Sequence, residues 1–149
     1  MPKLANITVL PLHAQVALVD RTWQDYPQWE TGEERVVYEA PSLVHPDHPP
    51  YPGFAVATRP DIEDGSLQYV EVELWAGEPP QGLTLIHASV LAIGSHGVQI
   101  GNDVAGSIAV VDIPRGEYRI EIWADGTDSR TIGRVAFVLP SLSTERAAH

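Results

Sequence analysis

Cysteine is absent from the 149 residues, which excludes a disulfide framework, a thiolate zinc site and a cysteine nucleophile. Cations are scarce. Nine Lys+Arg stand against 20 Asp+Glu, for a formal net charge of −11. A protein that follows a phosphate backbone needs a basic face, so this balance argues against nucleic acid and against an anionic membrane surface. It favours basic proteins or cations as partners. Long apolar runs are missing too. The longest weakly polar stretch, residues 82–94, contains Thr84, His87 and Ser89 and is too short to span a bilayer. The first residues, Met1-Pro2-Lys3-Leu4-Ala5-Asn6, lack the apolar core and small-residue cleavage site of a secretory signal. The expectation is therefore a soluble, cytoplasmic chain. Helical stripes are also absent from every window of eleven or more residues.

What is present has a period of two. Val70, Val72 and Leu74 alternate with Glu71, Glu73 and Trp75, and Tyr118, Ile120 and Ile122 alternate with Arg119, Glu121 and Trp123. Side chains of a strand point to opposite faces in turn, so both runs read as half-buried strands. Further strands are expected over residues 5–10, 14–20, 35–39, 54–59, 83–93, 98–101, 107–113 and 132–139. Turn residues separate them: Glu63-Asp64-Gly65, Glu78-Pro79-Pro80-Gln81-Gly82, Gly94-Ser95-His96-Gly97, Pro114-Arg115-Gly116 and Asp125-Gly126. Length and pattern together predict one all-β domain over residues 1–149, an antiparallel β-sandwich or flattened barrel with long Trp/Pro-rich loops.

Two intervals break the alternation. Residues 22–34 hold Trp23, Tyr26, Pro27 and Trp29 without a period of two and read as a long connection with room for one helical turn. Residues 41–53 carry five prolines and cannot form an interior strand. Charge is concentrated in the same half. Between Asp20 and Glu78 there are 13 acidic residues against three arginines, so −10 of the −11 lies there. A solvated face would explain such a stretch, and so would a field that steers a basic partner. The lopsidedness favours steering. The expected contact surface joins Trp23, Asp25, Tyr26, Trp29, Glu30, Glu33 and Glu34, with aromatic anchors and carboxylates for the partner's Arg or Lys. Glu71, Glu73, Trp75 and Trp123 are the second choice. The run from Val70 to Gly77 echoes that from Tyr118 to Gly126, so Trp75 and Trp123 are expected in similar places on the polar face.

No constellation carries chemistry. His45-Pro46-Asp47-His48 gathers two imidazoles and a carboxylate, but its prolines make a stiff segment that does not turn three ligands onto one ion, and a solvent-facing loop is expected. Ser95 beside His96 reads as a hairpin turn, because adjacent residues point apart and the Gly-x-Ser-x-Gly elbow is missing. His87 and His13 read as satisfied, half-buried histidines. Glu71 and Glu73 share one strand face, where their like charges call for cations or solvent between them. Neither a Gly-x-Gly-x-x-Gly pattern nor a P-loop occurs. The expectation is a binding protein with no catalytic residues, metal or cofactor.

Several segments resemble one family. Gly97-Val98-Gln99-Ile100, the strand ending Val110-Val111-Asp112-Ile113, and Pro114-Arg115-Gly116-Glu117-Tyr118 running on to Trp123 look like the competence protein J family. The surroundings of Trp29, Val37-Tyr38-Glu39-Ala40 and Phe54-Ala55-Val56-Ala57 are similar to that family's first half in order and spacing. The likeness runs from about Val9 to Val138 and departs from the pattern at residues 41–53. Known members are bacterial inhibitors of the DNA-entry nuclease, so the resemblance implies a small, non-enzymatic β protein that silences a nuclease. It transfers no residue role. Within the turn, Pro114 fixes φ, Gly116 permits the bend and Tyr118 is expected to pack inward. Two rival classes are kept beside this one. The first is a carbohydrate- or small-molecule-binding sandwich that stacks ligand on Trp75 or Trp123. The second is a self-associating protein whose strand edges form a homodimer.

Overall fold

Residues 3–21, 35–40, 49–94, 97–102 and 106–142 are described by the structure, a computed structural model. The strands in chain order are β1 (Lys3–Val9), β2 (Gln15–Asp20), β3 (Val37–Glu39), β4 (Gly53–Ala57), β5 (Ile62–Glu63), β6 (Ser66–Leu67), β7 (Val70–Ala76), β8 (Thr84–Ile93), β9 (Gly97–Asn102), β10 (Ser107–Asp112), β11 (Gly116–Ala124) and β12 (Arg134–Leu139). Short 3-10 turns occupy Leu12–Ala14 and Ser129–Thr131. Among the described residues no helix is long and apolar enough to cross a membrane.

Two five-stranded sheets face each other, in the orders β1-β7-β12-β11-β8 and β10-β9-β2-β4-β3. The alternation read from sequence puts the core between them. Val70, Val72 and Leu74 from β7, Ile120 and Ile122 from β11 and Phe137 from β12 pack with Leu18, Phe54, Val56 and Ile100 of the opposite sheet. Each fully buried Leu, Ile, Val or Phe side chain contributes about 1.5–3 kcal/mol relative to exposure. The architecture is a sandwich, the first of the two forms expected.

Three features differ from expectation. β7 and β12 pair in parallel, Arg134 opposite Glu71 and Val138 opposite Trp75, so the first sheet is mixed. A parallel pair joins strands far apart in sequence, and no local signal marks it. β8 and the next strand along the chain, β9, belong to different sheets, where a hairpin between them was expected. Residues 62–67 form a small separate hairpin, β5–β6, where only a turn was read.

Side chains fix the crossings between sheets. Tyr118 packs against the core, and its hydroxyl donates to the Pro114 carbonyl at 2.6 Å, locking the passage from β10 to β11. Gly116, at φ 153°, sits where a side chain is strained. Buried Asn102 donates from Nδ2 to the carbonyls of Leu12 and Gln15, both at 2.9 Å, and so ties the β1–β2 connection to β9. Tyr51 lies along β8: its N–H donates to the Val90 carbonyl and its own carbonyl accepts from the Ala92 N–H.

Candidate functional site

The second-choice residues come together on the outer face of the β1-β7-β12-β11-β8 sheet. Because β12 runs parallel to β7 and antiparallel to β11, the outer strands are related by a local two-fold about β12. The register sets Val138 between Trp75 and Glu121, and Ala136 between Glu73 and Trp123. Ala136 and Val138 point away from the core between the sheets, yet both are fully buried. The larger side chains flanking them close over the central strand.

The echo in sequence is an echo in space. Trp75 donates from Nε1 to Glu73 Oε1 at 2.7 Å, and Trp123 donates from Nε1 to Glu121 Oε1 at 3.1 Å. In each case a Glu-x-Trp triplet on one strand lays the indole back along its own strand, which satisfies the N–H and leaves the ring half-buried. Lys3 Nζ stands 5.5 Å from the centroid of the Trp75 ring, within cation–π range.

Glu73 anchors this face. It is 3% exposed, and Arg134 grips it with two bonds, Nε to Oε2 at 2.7 Å and Nη2 to Oε1 at 3.1 Å. Burial pushes its carboxyl up. Hydrogen bonds from Arg134 and Trp75, with the charges of Arg134 and Lys3, outweigh burial and hold it below the ordinary glutamate range. The hydrogen bond to Glu73 likewise raises the Arg134 guanidinium. Glu73, expected as a contact residue, is nearly fully buried, and both its oxygens are engaged within the chain. Glu71, half-exposed, accepts from Thr8 Oγ1 at 2.7 Å. Glu121 also faces the Arg119 guanidinium at 3.7 Å.

The first-choice set of Trp23, Asp25, Tyr26, Trp29, Glu30, Glu33 and Glu34 lies outside the described residues, as do His45, Asp47, His48, Ser95 and His96. Among the described residues no group of three or more His, Asp or Glu is placed to hold a metal ion. His87 points into the core, its ring 6.0 Å from that of Phe54. Its Nε2 is buried without a hydrogen-bond partner, so it is half-buried as expected but not satisfied. His13 is exposed in the left-handed region at φ 61°, not half-buried. It lines a cleft of about 830 Å³ with Arg35, Tyr38, Thr58, Glu63 and Arg130.

Sequence reasoning missed two parts of the surface. Arg134 follows only from the parallel register. The cluster of Ile62, Leu67 and Tyr69 on and beside the β5–β6 hairpin was masked by the shortness of its strands, although the Asp64-Gly65 turn marked the place.

No family model and no curated protein matches this sequence. Among solved structures, the crystal structure of ComJ, inhibitor of the DNA degrading activity of NucA, from Bacillus subtilis, is similar. It superposes with a TM-score of 0.60 at 10% identity, covering 92% of this chain and 95% of that one. At such identity the likeness is one of fold. The all-β architecture implied by the resemblance in sequence is therefore shared across nearly the whole chain.

Proposed function

We propose that this chain is a non-enzymatic inhibitor that acts in the cytoplasm by binding a DNA-degrading nuclease. The observation that carries the reading is the fold shared over 92% of the chain with ComJ, a protein that inhibits the DNA degrading activity of NucA. Charge supports it independently. A nuclease presents a cationic surface to the phosphate backbone, and a protein with net charge −11 is attracted to that surface and competes for it. The carbohydrate-binding alternative calls for a groove lined by Trp75 and Trp123. Neither ring lines the described cleft, and both indole N–H groups are already bonded within the chain.

The test is plasmid cleavage by each DNA-degrading nuclease of the source cell, titrated with the purified chain. Cleavage by one of them should fall to background at stoichiometric inhibitor. Full cleavage by all of them at large excess would overturn the reading.

A further inference from the structure

The β5–β6 hairpin stands apart from both sheets. Every residue from Ile62 to Leu67 is exposed, and the hairpin pairs with neither sheet. Ile62 lies opposite Leu67, each 54% exposed, and Tyr69 follows at 47%. Half of the six large hydrophobic side chains exposed among the described residues thus belong to one eight-residue stretch. Scattered surface apolar residues need no explanation, but a cluster with a polar rim marks an interaction site. Here Asp61, Glu63 and Asp64 flank the apolar pair, and no Lys or Arg occurs in the sequence between Arg59 and Arg115.

The hairpin is also held in shape. Asp64 at φ 51° and Gly65 at φ 79° form the two left-handed positions of a type I′ turn. The Gln68 N–H donates to the Asp61 carbonyl at 2.8 Å across the base. Arg59 donates from both Nε and Nη2 to the Tyr69 carbonyl, pinning the exit strand to the body. A preformed projection loses little freedom on binding.

We propose that this hairpin is the element the chain inserts into its partner, and that the receiving surface is the cationic, DNA-binding cleft of the nuclease. The proposal rests on the inhibitor reading and adds the contact to it. The carboxylates meet the Arg and Lys that hold DNA phosphates, while Ile62, Leu67 and Tyr69 fill the apolar floor against which bases stack.

The experiment compares wild type with three variants against the same set of source-cell nucleases. One carries Ile62→Ser with Leu67→Ser, one carries Glu63→Gln with Asp64→Asn, and a control carries Glu117→Gln on exposed β11. None of these side chains is in the core, and the amide pair is isosteric, so thermal midpoints should stay together. The serine pair should weaken inhibition by about tenfold or more through faster dissociation. The amide pair should slow association and flatten its salt dependence, and the control should match wild type. Inhibition by wild type that both hairpin variants retain in full overturns this inference alone. Failure of wild type to inhibit any of the nucleases overturns the inhibitor reading, and this inference with it.

Discussion

Glu73, which the sequence offers as a contact residue, is buried and bonded within the chain. A carboxylate on the polar face of a strand reads as a contact, but the parallel register brings Arg134 onto it, and Trp75 donates a third hydrogen bond. The pH consequence follows from the lowered pKa. The ionised form is favoured by folding, so its stabilisation is complete above the ordinary glutamate value of about 4.3. It is lost as pH falls through the lower value of the folded state. Glu73→Gln should therefore cost about 1.5–3 kcal/mol near neutrality and flatten the acid limb of stability against pH, as read from urea unfolding at a series of pH values. A parallel, merely displaced limb would assign the acid sensitivity elsewhere. His87 gives the opposite case. Its orphaned Nε2 is a buried polar atom with nothing to offset its desolvation, so His87→Leu should stabilise the fold by about 1 kcal/mol. Thermal unfolding measures this, and a lowered midpoint would mean that the ring contact with Phe54 outweighs the orphaned nitrogen.

At the scale of elements, the legible part was whatever depends on neighbours in sequence. The Val-x-Val-x-Leu and Ile-x-Ile alternations of β7 and β11 named their buried faces correctly. The Pro114-Arg115-Gly116-Glu117-Tyr118 run predicted both the bend and the inward tyrosine. What could not be read depends on residues tens of positions apart: the parallel β7–β12 pair, the placing of β8 and β9 in different sheets, and hence the partner of Glu73. β5 and β6 escaped because two-residue strands with every side chain in solvent leave no alternation to detect. The Glu-x-Trp triplets were legible as an echo, but only register turned them into a two-fold arrangement over Ala136 and Val138. The corner at Tyr118 supplies a prediction at this scale. Tyr118→Phe keeps the ring and removes one hydrogen bond to the Pro114 carbonyl, so stability should fall by about 1 kcal/mol with the urea m-value unchanged. A changed m-value would show instead that the corner governs how much of the chain unfolds together.

For the whole molecule, the proposed inhibitor reading divides the work of recognition between charge, which sets rate, and shape, which sets lifetime. A net charge of −11 creates a long-range field, but the field has no shape, and it cannot by itself hold a complex together. The described surface supplies shape at the exposed hairpin, where Ile62 and Leu67 stand beside Asp61, Glu63 and Asp64. Field and contact should therefore separate kinetically. Salt shortens the Debye length from about 30 Å at 0.01 M to about 3 Å at 1 M, which removes steering while leaving packed apolar contacts intact. Between low and high salt the association rate with the inhibited nuclease should fall by about tenfold or more, and the dissociation rate should change far less. Stopped-flow measurement of both rates at several ionic strengths decides the point. An association rate indifferent to salt would leave the acidic surface as a solubility device, and the hairpin's apolar side chains as the whole basis of recognition.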